Sequence, residues 1–60
     1  MDKDKDKELL RKLHSEVVRY FNAENAFRRE PNDKTWNKRV EADRRLTITV
    51  AEVTEYLKQK

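Results

Sequence analysis

The sequence contains one histidine, His14, the residue type that most often serves as a general base in catalysis. A general base must have a nucleophile or an acid within hydrogen-bonding reach. On a helix, the residues one turn away are Leu10, Arg11, Val17 and Val18, none of which is a nucleophile or an orienting carboxylate. The pattern predicts a structural or surface histidine. We therefore expect no enzyme activity and no small-molecule substrate.

Metal and cofactor sites are also disfavoured by the residue types. Asp2, Asp4 and Asp6 alternate as the odd-numbered ligands of a calcium loop do, but lysines separate them, and the central glycine and terminal bidentate glutamate of such a loop are missing. A chain with no cysteine and one histidine cannot assemble an ordinary four-ligand zinc site. Without glycine, it also lacks the loops that cradle phosphates. The sequence predicts no metal and no cofactor.

A basic segment covers residues 28 to 45 and accounts for the whole net charge of +3. Arginine and lysine bind phosphates, and an indole stacks on nucleic-acid bases. The segment therefore predicts weak nucleic-acid contact, with Trp36 as the stacking residue and the cations Arg28, Arg29, Lys34, Lys38, Arg39, Arg44 and Arg45. The alternative is that Trp36 anchors the core while the cations form an ordinary solvated surface.

An amphipathic stripe precedes the basic segment. Its apolar residues recur at intervals of three and four, which places them along one side of a helix. A long helix of this kind covered by short elements leaves part of its stripe exposed, so the pattern predicts a protein partner or a homodimer. The candidate interface residues are Leu9, Leu13, Val17, Tyr20, Phe21 and Phe27. Internal packing of the whole stripe is the alternative.

Length and composition set further bounds. Sixty residues form one small domain, expected to span residues 1–60, whose stability is marginal unless a partner completes its core. No apolar run could cross a membrane or serve as a signal peptide, so we expect a cytoplasmic chain with no membrane contact. The absence of glycine in a chain that is 45% charged also raises a third hypothesis, a designed scaffold with no natural ligand.

The first helix is predicted to run from about Asp6 to Arg29, after a charged, fraying start over residues 1–7. Pro31 ends it, and Asn32 or Asp33 is a natural N-cap for the element that follows.

The type of the next element is ambiguous. Residues 34–48 fit a helix, with Glu41 and Arg45 at a favourable spacing, but their even-numbered apolar positions also fit a β-hairpin. A last helix is predicted from Thr49, which forms a capping-box pattern with Glu52. The expected fold is all-α, a three-helix domain with a long first helix. The alternative is an α+β fold of helix, β-hairpin and helix.

The segment from Thr49 to Leu57, Thr-Val-Ala-Glu-Val-Thr-Glu-Tyr-Leu, resembles the opening helix of excisionase-type helix-turn-helix domains. In that family a turn and a DNA-reading helix come next, whereas three residues follow Leu57 in this sequence. The resemblance therefore assigns no DNA-contacting role to any residue of the segment.

Overall fold

The computed structural model describes residues 3–59, and over this range the chain forms two helices and no strand. Helix α1 spans Lys3–Arg29 and helix α2 spans Asp33–Lys58. The all-α class is therefore confirmed, while the prediction of three helices is wrong. The β-hairpin alternative is also wrong, because residues 34–48 lie inside α2.

The two helices pack against each other as an antiparallel hairpin. Near the open end, the Tyr56 hydroxyl donates a hydrogen bond of 2.7 Å to the Asp6 carboxylate. Near the loop, the ring centroids of Phe27 and Trp36 lie 5.4 Å apart. The hairpin is consequently elongated, with extents of 45 × 15 × 11 Å.

Helix α1 begins earlier than the sequence predicts. It is helical from Lys3, so residues 3–7 of the charged start belong to the helix, and residues 1 and 2 lie outside the described range. Asp4 and Asp6 in the first turn complement the positive end of the helix dipole, and Arg28 and Arg29 complement the negative end. These favourable charges support a helix start that carries no apolar side chain.

The loop at Pro31 behaves as predicted, with Asn32 as the N-cap of α2. The Asn32 side chain accepts a hydrogen bond of 2.9 Å from the Thr35 backbone N–H, and the Thr35 hydroxyl accepts one of 3.1 Å from the Asn32 backbone N–H. This reciprocal pair forms a capping box. The same hydroxyl donates to the Glu30 carbonyl at 2.7 Å, which ties the end of α1 to the start of α2.

The helix start predicted at Thr49 does not exist. Thr49 lies in the middle of α2 and is 2% exposed, packed against α1 rather than placed as a cap. The β-branched stretch around it remains helical because Leu46 and Thr49 pack against α1. Its exposed threonine hydroxyls bond to backbone carbonyls one turn earlier. Thr47 donates to the Asp43 carbonyl at 2.9 Å, and Thr54 donates to the Val50 carbonyl at 2.8 Å. The two shorter predicted helices are thus one.

The helices meet along a seam whose residues are buried or half-buried and recur at alternating intervals of four and three. This is the heptad spacing of coiled-coil contacts. The seam consists of Leu9, Leu13, Glu16, Tyr20, Ala23 and Phe27 from α1, and Thr35, Arg39, Ala42, Leu46, Thr49, Val53 and Tyr56 from α2. Leu9 and Ala42 are the apolar residues that the hairpin buries within the described range.

Candidate interaction surface

Charged residues in the seam are paired within the chain. Glu16 is 7% exposed, and its carboxylate lies 3.2 Å from Nε of Arg45 and 3.4 Å from Nε of Arg19. The guanidinium of Arg39 lies over two aromatic rings, 5.4 Å from the Trp36 centroid and 6.0 Å from the Tyr20 centroid. Ion pairs and cation–π contacts allow these side chains to occupy seam positions.

Beside the seam lies a surface that we call the apolar face. Seven exposed apolar side chains form it, and each directly follows a seam residue in sequence: Leu10, Val17, Phe21, Trp36, Val40, Val50 and Leu57. Successive residues of a helix are rotated by about 100°. Because α1 and α2 are antiparallel and their seams face each other, this rotation leads to the same side of the hairpin in both helices.

The grooves of the surface support this assignment. Leu10 and Leu57 line one groove together with the seam residues Leu13 and Val53. The most exposed side chains of the apolar face are Leu10 at 68%, Phe21 at 60% and Leu57 at 57%. Large apolar residues gathered on one side of a small protein indicate an interaction site.

The opposite side of the seam carries the charged face, which we define as Lys12, Arg19, Lys38, Glu41, Arg45 and Glu52. Here Lys12 Nζ lies 2.8 Å from the Glu52 carboxylate and links the two helices. The hydrogen bond and charge of Glu52 hold the pKa of Lys12 above its ordinary value, and those of Lys12 hold the pKa of Glu52 below its own. Arg19, Glu41 and Arg45 also form ion pairs within the chain, so five of the six charged groups of this face pair internally.

The structure divides the six predicted interface residues between two environments. Leu9, Leu13, Tyr20 and Phe27 pack in the seam, while Val17 and Phe21 lie on the apolar face. The half of this face that comes from α2 was not among the residues predicted from the sequence. Its signal was present, since Trp36, Val40, Val50 and Leu57 fall at heptad spacing along one side of α2.

The eight predicted nucleic-acid residues do not share a surface. Arg39 lies in the seam, Trp36 on the apolar face, and Lys38 and Arg45 on the charged face. Arg28 pairs with Glu24 at 3.3 Å, and Arg45 pairs with Glu16. The Trp36 ring packs against Phe27 and Arg39, contacts that a stacked base would have to replace. The other cations of the set are exposed: Arg29, Lys34 and Arg44.

The remaining chemical candidates are isolated. His14 is exposed on α1 and directly follows the seam residue Leu13, which places it on the side of the apolar face. Within residues 3–59, no group of three or more histidine, cysteine or acidic side chains is placed to hold a metal ion. Over the same range, neither helix has an apolar stretch of the length and hydropathy that crossing a bilayer requires.

Comparisons with known proteins supply no further assignment. No protein-family model matches the chain, and no curated protein or solved structure does. The resemblance to an excisionase-type opening helix is not supported by the fold, because Thr49 lies within α2 and residues 49–57 form its second half.

Proposed function

We propose that this chain is a non-catalytic association module that forms a homodimer, with the apolar face buried between two copies. The observation that carries the proposal is the placement of seven large, exposed apolar side chains on one side of the hairpin. In a two-fold symmetric dimer the same surface of each copy meets the other, so one such face is sufficient.

The exposed area of the hairpin matches this proposal. The chain exposes 5,111 Å². A compact monomer of its mass would expose about 4,200 Å². The excess is thus on the order of 900 Å², and a specific interface of standard size buries about 800 Å² on each partner. One additional copy is therefore enough to give the chain the burial that a compact domain normally has.

The composition of the seam gives an independent reason. Six of its positions hold small or polar side chains: Glu16, Ala23, Thr35, Arg39, Ala42 and Thr49. Phe21, Trp36 and Leu57, which would bury more apolar area, lie outside it. A domain of this size needs a well-filled core or a partner to be stable. Two copies packed through the apolar face form a four-helix arrangement with a second, more apolar layer.

Nucleic-acid contact, the rival function, has less support from the geometry. Its candidate cations lie on different sides of the hairpin, and two of them, Arg28 and Arg45, pair with glutamates of the same chain. A phosphate backbone following one side would meet few of them at once. Dimerisation through apolar residues predicts an affinity that changes little with moderate salt, whereas phosphate binding predicts a steep fall.

The proposal is tested by sedimentation equilibrium of the wild type, Phe21→Glu and a matched control, Ile48→Glu. Phe21 and Ile48 are similarly exposed, at 60% and 57%, but Ile48 does not belong to the apolar face. We expect a dimer for the wild type and the control, and at least about 100-fold weaker association for Phe21→Glu. A monomeric wild type, or equal losses in both variants, would contradict the proposal.

A further inference from the structure

We infer that the second copy lies antiparallel across the apolar face, with the two loops at opposite ends of the dimer and Phe21 of each copy against Leu10 of the other. This inference rests on the proposed dimer and specifies its architecture. It identifies the residues that meet in the interface, which dimerisation alone does not do.

Two symmetric arrangements bring the apolar faces of two hairpins together. A two-fold axis across the long axis of the hairpin stacks α1 on α1 and α2 on α2, with the loops at opposite ends. A two-fold axis parallel to the long axis stacks α1 on α2 of the other copy, with both loops at the same end. All neighbouring helices are antiparallel in both arrangements, so helix direction does not distinguish them, but the residues that meet are different.

The internal register of the hairpin decides between the two. Asp6 lies level with Tyr56 near the open end, and Phe27 lies level with Trp36 near the loop. Midway between these two levels lies Glu16 of α1, which pairs with Arg45 of α2.

Consider the two-fold axis that crosses the hairpin just before Glu16. Along α1, it is the same number of residues from Leu10 as from Phe21. At the same level in α2, the axis passes between Leu46 and Thr47, equally far from Trp36 and Leu57. One axis therefore matches both pairs of large apolar residues. Phe21 meets Leu10 of the second copy, and Trp36 meets its Leu57.

Charge placement agrees with this arrangement. The same transverse axis brings Lys7 level with Glu24 of the second copy, and both residues directly follow seam-register positions of α1. In the arrangement with both loops at one end, Leu57 instead lies level with Lys3 and Lys7 of the second copy. Trp36 then lies against its Glu24 and Arg28. The antiparallel dimer thus pairs the four largest side chains of the apolar face with one another and Lys7 with Glu24. The same axis sets Lys3 level with Arg28 and Asp43 level with Val50 of the second copy.

The orientation is tested by pulsed electron paramagnetic resonance on a spin label attached through Glu30→Cys, a substitution in the exposed loop of a chain that has no native cysteine. Because the hairpin is 45 Å long, loops at opposite ends place the two labels about 40–50 Å apart. Loops at the same end place them roughly 20 Å apart, since packed helices are 8–10 Å apart and the label arms add to this.

A long distance supports the inference, and a short one overturns it while leaving the proposed dimer intact. A label at Ser15→Cys is the control, because Ser15 lies exposed near the middle of α1 and away from the apolar face, where the separation depends little on orientation. An intermolecular signal from Ser15→Cys with a short Glu30→Cys distance therefore rejects only the orientation. No intermolecular signal at either position, with a monomer in sedimentation, rejects the proposed function itself.

Discussion

The apolar face and the charged face flank the same seam and are built from the same two helices, yet they meet the solvent in different ways. On the charged face, long side chains reach across the seam and pair within the chain, as Lys12 does with Glu52. On the apolar face, side chains such as Leu10, Phe21 and Leu57 project from the hairpin largely uncovered. The hairpin therefore pairs the charges of one flank by itself and leaves the apolar side chains of the other exposed, which is the surface of the proposed dimer.

The largest effect on dimerisation is expected from removing apolar side chains from the apolar face. We expect Leu10→Gln combined with Leu57→Gln to weaken dimerisation roughly 10,000-fold, because four leucine side chains are lost from each dimer. Sedimentation equilibrium measures this change directly. The thermal midpoint of the wild type should also rise with protein concentration, and that dependence should disappear in the double variant.

A matched double variant controls for surface hydrophobicity in general. Val18 and Ile48 are exposed apolar residues that lie off the apolar face. We expect Val18→Gln combined with Ile48→Gln to dimerise as the wild type does. If both double variants lost dimerisation equally, the distinction between the two faces would have no functional meaning.

A smaller and opposite effect is expected from extending the apolar face. Asp43 directly follows the seam residue Ala42, so it interrupts the apolar residues of α2. We expect Asp43→Leu to tighten the dimer about 100-fold, because one more leucine of each copy is buried and a carboxylate leaves the interface. Arg44→Leu, one residue further and off the face, is the control. Unchanged affinity in Asp43→Leu would show that this part of α2 does not enter the interface.

Within the seam, replacing Glu16 tests whether the ion pairs of the charged side stabilise the hairpin. We expect Glu16→Leu to raise the free energy of unfolding by about 1 kcal/mol, since a buried carboxylate loses its hydration while Arg19 and Arg45 remain half-exposed. Thermal unfolding at fixed protein concentration measures the change, and Glu41→Leu, on the exposed charged face, is the control. A clear loss of stability in Glu16→Leu would instead show that the ion pairs hold the register of the two helices.

The smallest expected effect concerns the ion pair between Lys12 and Glu52, because both side chains are about half exposed. The pKa of Glu52 is lowered from 4.5, so its stabilisation is present above that pH and is lost as the pH falls through the folded-state pKa. The pKa of Lys12 is raised from 10.5, so its stabilisation is present below that pH and is lost as the pH rises through the folded-state pKa.

The stability difference between wild type and Lys12→Met should therefore be small and constant between about pH 5 and pH 10, and should fade on either side. Unfolding curves across this range measure it, and NMR titration of Glu52 should show its pKa returning toward 4.5 in Lys12→Met. Glu55→Gln removes a charge one turn from Glu52 and is expected to leave the Glu52 titration unchanged. A Glu52 pKa that does not respond to Lys12→Met would contradict the pairing.

The local parts of the fold were readable from residue types. A helix ending at Arg29 follows from Pro31, and an N-cap at Asn32 or Asp33 follows from the preference of these residue types for caps. The structure ends α1 at Arg29 and places Asn32 as the N-cap. The helix start predicted at Thr49 fails because a capping pattern is a local signal, and α2 passes through it. Packing of Thr49 against α1 outweighs the cap, since this side chain is among the most buried in the hairpin.

The sequence by itself determined that the first element is a helix, that the chain turns at Pro31, and that the apolar residues of α1 follow the period of a helix. It left residues 34–48 open between a helix and a β-hairpin. It did not determine which side of α2 faces α1. Two stripes run along α2 one residue apart, one through Ala42 and Thr49 and the other through Trp36 and Val50, and both repeat at heptad spacing. Only the docking of the helices decides this: α2 packs on α1 with the small side chains of Ala42 and Thr49 buried, which lets the helices approach closely and places the less apolar stripe inside. The more apolar stripe is thereby left at the surface, where it forms half of the proposed interface.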